Sequence, residues 1–290
     1  MLRKLLLPIL TLLALLLGAA PAHAAARATA LPVVDMTAVV TAAQVEGYRG
    51  NQIALRDDAS TRLVQLALTA KGFRVVADGH YGRATTAAYI KYQRSLGYRS
   101  IDANGIPGPQ SLITLGRGRF TVANLVQVGS RNDKYGTKRV NTRTRLMLAA
   151  ADRKVPWAIQ VSQGSYCRFD TKPCAAASGG THDGGGALDI KVSGLTTTQR
   201  WRTVQALRSA GFAAWLRTPS QCGGCWAAHI HAIAIGDTDL WQKDGKYGNR
   251  DQVADYFVGR DGLAKHAPDN TPLQYRVRFT TWERLAIPAS

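Results

Sequence analysis

The sequence predicts an α+β fold: a domain with a small antiparallel sheet and flanking helices, preceded by a small three-helix, all-α module. Three observations carry this expectation. Between residues 58 and 117, apolar residues recur at helical spacing in stretches separated by glycine turns. From Asn141 onward, short apolar runs of strand character, "WAIQVS", "ALDIKV" and "AAHIHAIAIG", accompany a helical stretch, "TTQRWRTVQALRSAGF". The 266 residues that follow the first 24 of 290 suit two modest domains better than one.

Taken in order, the chain opens with Arg3 and Lys4, an apolar run from Leu5 to Gly18, and Ala22-His23-Ala24. A basic start, an apolar middle and an A-x-A end predict a signal peptide over 1–24, removed on export. The run is too short and wrongly flanked for a stable membrane span, and no second stretch is long enough for one. A secreted chain without a membrane anchor is therefore expected. The net charge is +18, and +16 without Arg3 and Lys4. Outside the cell such a balance points to wall polymers, anionic lipid or glycans as polyanions. A nucleic-acid binder would rest on this charge alone.

Residues 25–57 show no sustained period and read as a leader or linker. Ser60 is the expected cap of a helix whose face carries Leu63, Val64, Leu66 and Ala67, stopped at Gly72. A turn at Asp78-Gly79 leads to Gly82 and to a second helix bearing Ala88, Tyr89, Tyr92 and Leu96. The pattern Asp78-Gly79-x-x-Gly82-x-x-Thr85 returns 26 residues later as Asn104-Gly105-x-x-Gly108-x-x-Ser111. Each copy has a turn, a glycine for tight backbone, and a hydroxyl where a helix would begin. As a set, "RLVQLALTAKGF", "DGHYG", "AAYIKYQRSLGY" and "NGIPGPQSLITLG" closely resemble the peptidoglycan-binding domain appended to many wall hydrolases. The resemblance covers 58–117 and implies a non-catalytic targeting module, with Asp78, Gly79, Gly82, Gly105 and Gly108 at its turns.

Residues 118–140 are polar and basic and read as a second linker. The last domain, 141–290, begins where Asn141 can cap the helix "TRTRLMLAAADRK". Four cysteines, Cys167, Cys174, Cys222 and Cys225, allow three pairings. Export favours disulfides, and the two local loops, Cys167–Cys174 and Cys222–Cys225, are the expected pairs. A four-thiolate zinc site is the alternative, but six residues between Cys167 and Cys174 fit it poorly.

Half of the six histidines fall in "SGGTHDGGGALDI" and "AAHIHAIAIG". If the second is a strand, His229 and His231 share one face. His182 stands in a loop and Asp189 opens a strand. Gly184, Gly185 and Gly186 between them permit a sharp return with positive φ. Two imidazoles and a carboxylate around an open position are a zinc-hydrolase pattern, in which the metal activates water and polarises a carbonyl.

"GTHDGGGALDI" followed by "HIHAI" resembles the zinc peptidases that include D-alanyl-D-alanine carboxypeptidases and L-alanyl-D-glutamate endopeptidases. Over residues 141–236 the resemblance implies Zn2+ held by His182, Asp189 and His231, with His229 in the auxiliary catalytic position. Many relatives carry a glutamate base three residues before the last ligand, where this chain has Ala228. The only acids from Asn141 to Gly236 are Asp152, Asp170, Asp183 and Asp189. That leaves His229 as the base, with Asp183 a distant second. Relatives hold the substrate carboxylate with a cationic or amide group before the first ligand, which points to Arg168, Gln163 and Ser165. Trp215 and Trp226 are candidates for the cleft wall or for core. The expectation is a monomeric, wall-associated peptidase acting on bacterial peptidoglycan, as carboxypeptidase or endopeptidase. A catalytically silent wall-binding protein is the alternative.

Overall fold

Strand β1, Val33–Asp35, runs parallel to β2, Thr121–Ala123. Asp35 ends β1 and caps helix α1, Met36–Gln44, its carboxylate accepting the Thr37 and Ala38 amides. Helices α2, Ala59–Ala70, α3, Arg83–Ser95, and α4, Pro109–Gly116, follow. The computed structural model describes residues 30–45, 58–169, 178–241 and 247–285. The chain divides into two compact units, Met1–Ala30 and Leu31–Ser290, and the second holds every element named here. The expected signal peptide, 1–24, lies outside the described residues. Among the described residues no helix is long and apolar enough to cross a membrane.

Strands β3, Asp133–Tyr135, and β4, Lys138–Val140, form a hairpin, and Asn141 caps α5, Thr142–Asp152, as its position predicted. Then come β5, Val161–Gln163, β6, Ala187–Lys191, α6, Thr197–Ser209, β7, Phe212–Arg217, and β8, His229–Ala234. The last helices are α7, Asn249–Phe257, and α8, Trp282–Leu285. Strands β5-β6-β8-β7 make one four-stranded, wholly antiparallel sheet. The α+β class holds, and the small antiparallel sheet lies where the second domain was expected.

Because side chains alternate along a strand, the sheet has two distinct faces. Leu188, Ile190, Ile230, Ala232, Phe212 and Leu216 lie on one, in a core shared with Met147 and Leu148 of α5 and Val204 and Leu207 of α6. The opposite face carries Ala187, Ala213, Trp215 and Ile233, and these join a core that extends through α1 into the three helices α2–α4. That same face carries Asp189, His229 and His231 further along its strands.

Local expectations differ at several places. The cap of α2 is Asp58, whose carboxylate accepts Thr61 N at 2.6 Å. Ser60 instead accepts the Asp35 amide at 3.0 Å, tying α2 to β1. The stretch read as a leader or linker, 25–57, contains β1 and α1. Helix α1 is buried on nearly every side, so its sequence "MTAVVTAAQ" has no polar stripe from which to read a period. The stretch read as a linker, 118–140, contains β2, β3 and β4. These are three-residue strands, too short to show an alternation. Finally, the helix "TTQRWRTVQALRSAGF" ends at Ser209, and Gly211, with φ +91°, turns the chain into β7.

The two turns of the sequence repeat have the same bonding. Gln65 accepts Gly79 N–H at 2.8 Å and donates to His80 O at 2.9 Å. Gln93 likewise accepts Gly105 N–H at 2.8 Å and donates to Ile106 O at 2.9 Å. In each turn the first residue, Asp78 or Asn104, accepts the amide two residues on. The hydroxyls expected to cap α3 and α4 are not caps; Gly82 and Gly108 hold those positions. Thr85 accepts from Gln65 instead, and Ser111 donates to Gly108 O.

Candidate metal centre

Register places the site. Asp189 of β6 pairs with His231 of β8, which pairs on its other side with Trp215 of β7. One row outward, His229 stands between Lys191 and Arg217. A strand repeats every two residues, so His229 and His231 share the face that Asp189 occupies next door.

His182 reaches this point through the glycine run, but not quite by the expected route. Of the three glycines only Gly186 has positive φ, +81°. Gly184 and Gly185 are needed because the backbone passes against a wall, the segment Gly236–Trp241. A Cβ on Gly184 would lie 2.4 Å from Asp239 O, and one on Gly185 would lie 2.6 Å from the Tyr166 hydroxyl. Gly185 N–H donates to Asp239 O at 2.8 Å.

That wall is a buried polar cluster. The Tyr166 hydroxyl donates to Asp239 Oδ2 at 2.7 Å, and Asn141 Nδ2 donates to Asp237 Oδ2 at 2.6 Å. Arg131 meets Asp239 through Nε at 2.7 Å and Nη2 at 2.8 Å. Burial, with the Asp239 charge beside it, pushes the Asp237 carboxyl up to about 6. The same burial, with both aspartates near, holds the Tyr166 phenol far above its ordinary range.

At the centre, the His182 Nδ1–H donates to Gly164 O at 2.8 Å. A carbonyl can only accept, so the neutral imidazole carries its free lone pair on Nε2. That lone pair lies 3.4 Å from Asp189 Oδ1. His231 Nδ1 lies 2.9 Å from the same oxygen, and its Nε2 is buried without a hydrogen-bond partner. Lone pair facing carboxylate is unfavourable unless a cation stands between them. The protonation pattern agrees. Burial pulls the His182 pKa down, but the charge and hydrogen bond of Asp189, the Gly164 carbonyl and the Asp183 charge together raise it. Burial would raise Asp189, but the two imidazoles hold it well below the carboxylate range. His231 falls to about 4 through burial, with His182 and Arg217 repelling a second proton. The site thus favours one positive charge beside Asp189, a place that a metal cation can take from the proton. One ligand atom from each of His182, Asp189 and His231 lies within 4.8 Å of the others, so the three residues could hold a metal ion.

His229 lies just outside this group. Its Nδ1–H donates to Ala227 O at 2.8 Å, and Nε2 lies 3.7 Å from Asp189 Oδ1. Trp226 packs edge-on against its ring, with centroids 5.9 Å apart. The loop that carries Trp226 is closed by the expected disulfide, Cys222–Cys225. Cys167 is also disulfide-bonded, and its expected partner, Cys174, lies outside the described residues. These bonds remove the four-thiolate alternative.

Among the expected substrate contacts, Gln163 pairs in register with Asp189, and its Nε2 is buried without a partner. Arg168 is exposed, its guanidinium 4.8 Å from the centre of the Trp241 ring. Ser165 is different: it is buried and donates to Ala187 O at 2.7 Å, which braces the loop onto β6. Trp215 is fully buried, with Nε1–H on Arg260 O, and belongs to the core. Asp183 is not in the ligand group. Arg217, which sequence reading missed, is buried beside His229 and donates to Asp261 O and Gly262 O. Burial lowers its pKa to about 10. The wall was missed as well; its two aspartates in "GDTDLW" were the available signal, and they begin directly after Gly236. Comparison of the chain with family models, with curated proteins and with solved structures finds no match.

Proposed function

We propose that the chain is a secreted zinc peptidase that hydrolyses stem or cross-link peptides of bacterial peptidoglycan. One observation carries this reading. Two imidazoles, His182 and His229, are each held by a backbone carbonyl so that Nε2 faces one half-buried carboxylate, which His231 also meets. Such fixed tautomers suit metal ligation and proton transfer, and a structural role for three histidines needs neither. His182, Asp189 and His231 would hold the zinc. When bound, zinc supplies a Lewis acid that polarises the scissile carbonyl and makes water acidic near neutral pH.

The other steps belong to the chain. His229 accepts a proton from the attacking water at Nε2, while Ala227 O steadies the Nδ1–H of the imidazolium that forms. It then returns the proton to the leaving amine. Arg168 offers an exposed guanidinium to a substrate carboxylate, and Gln163 an amide beside Asp189. Helices α2–α4, as the peptidoglycan-binding module, would bring the site to the wall. The test is turnover of purified peptidoglycan by Asp189→Ala, with products read by mass. Loss of turnover with wall binding intact is expected, and undiminished turnover would sink the proposal. Free D-alanine among wild-type products marks a carboxypeptidase, and internal fragments mark an endopeptidase.

A further inference from the structure

The segment Gly236–Trp241 has two sides. One is the wall against which Gly184, Gly185 and Gly186 fold the metal loop. The other is held by residues from much earlier in the chain. Gln44, fully buried at the end of α1, donates from Nε2 to Asp237 O at 2.8 Å and accepts Gly236 N–H at 2.7 Å. Asn104 donates from Nδ2 to Thr238 O at 2.8 Å and to Leu240 O at 3.3 Å. Arg131 grips the Asp239 carboxylate and also reaches Asp102 Oδ1 at 2.5 Å. Five successive residues, Gly236 to Leu240, are thus gripped by three side chains of the N-terminal half.

The repeat shows what this requires of the sequence. Its two turns share the glutamine clasp and the bond to the amide two residues on, but the first begins with the carboxylate of Asp78, which also accepts from Gln65 Nε2, and the second with the amide of Asn104. Either oxygen can accept the turn amide. Only the amide brings N–H groups for the carbonyls of Thr238 and Leu240.

We propose that Gln44, Asn104 and Arg131 are positioning residues for the metal centre. The N-terminal half is then a structural part of the site and not a tethered module. The inference rests on His182, Asp189 and His231 as metal ligands, and not on the choice of substrate.

Asn104→Asp in the full chain tests it, because it keeps the oxygen for Ile106 N–H and removes the donors. Asp78→Asn is the matched control in the other turn. Zinc affinity, read by competition with a chromophoric chelator, should weaken roughly tenfold in Asn104→Asp. It should not change in Asp78→Asn. Exchange of the Gly185 amide, which is bonded to Asp239 O, should quicken in Asn104→Asp alone. Wild-type affinity together with wild-type Gly185 protection in Asn104→Asp overturns the proposal. If that variant does not fold, Arg131→Ala at a partly exposed site gives the same comparison. A protein that binds zinc, loosens as expected and cuts no wall peptide refutes the peptidase reading while this one stands. A wild type that binds no zinc overturns the proposal, because there is then no metal centre to position.

Discussion

Substitution of Gly185 by alanine isolates the work of the glycine run. The added Cβ would lie 2.6 Å from the Tyr166 hydroxyl, 2.8 Å from Asp239 Cβ and 2.9 Å from Asp237 Oδ1. Ordinary carbon–carbon contact is at about 3.5–4.0 Å, so the loop or the wall must retreat by roughly 1 Å. None of these neighbours can swing away. Tyr166 and Asp239 bond each other, and Asp237 is held by Asn141. Overpacking of this kind costs about 1–3 kcal/mol, and each kcal/mol lowers Tm by about 2–4 °C in a chain of this size. The centre should suffer more than the fold. His182 and Asp189 flank the glycines, and metal–ligand distances tolerate only about 0.2 Å. We expect Gly185→Ala to lose several degrees in Tm and at least about tenfold in zinc affinity. Gly108→Ala is the comparison: its φ is −86°, and its Cβ would meet nothing nearer than Ser111 Oγ at 3.9 Å. It should leave zinc affinity alone. Wild-type Tm and zinc affinity in Gly185→Ala would refute the idea that close approach to the wall fixes the loop.

Two further outcomes are expected. His229→Ala should lower turnover by at least about 100-fold, the scale of a lost general base, while zinc affinity stays near wild type. Loss of zinc in that variant would make His229 a ligand and reverse the roles of the two strand histidines. Asp237 should imprint a pH dependence on stability. Its pKa is raised from 3.8 to about 6, so its contribution is fully present below pH 3.8 and is lost as pH rises through about 6. Thermal unfolding at constant ionic strength should show the wild type losing up to about 3 kcal/mol over that window relative to Asp237→Asn. Parallel curves for the two proteins would mean that Asp237 does not titrate there.

What could be read from the sequence follows from where each signal arises. Asn141 was legible as a cap because a cap is local chemistry: its side chain accepts Thr144 N–H three residues on. The pairing of His229 and His231 was legible because strand geometry alone puts alternate residues together. Helix α1 and strand β7 were not, since each is buried on both or all sides and a period needs a polar face to mark it. The wall was hidden for a different reason. Gly184 and Gly185 announce a close approach, but no local rule says what is approached, and here it lies more than fifty residues further along. Ser165 was misread because a hydroxyl before the first ligand looks the same in sequence whether it meets substrate or Ala187 O.

Strand β8 also explains why a metal centre of this form needs the rest of the chain. On its site-bearing face stand His229, half-buried, then His231, then Ile233, fully buried. Within five residues the face passes from a half-buried imidazole, through a buried one that could hold a metal, to hydrophobic core. The ligand must be dry enough for its imidazole to resist protonation, which burial achieves at His231. That burial cannot come from α5 and α6, because they occupy the opposite face. The apolar cover on the site face comes with the core that runs through α1 into α2–α4, together with Val253 and Ala254 of α7. A metal site on this sheet would therefore be closed at the Ile233 end by apolar residues of α1–α4 and α7, and only half-buried at the His229 end.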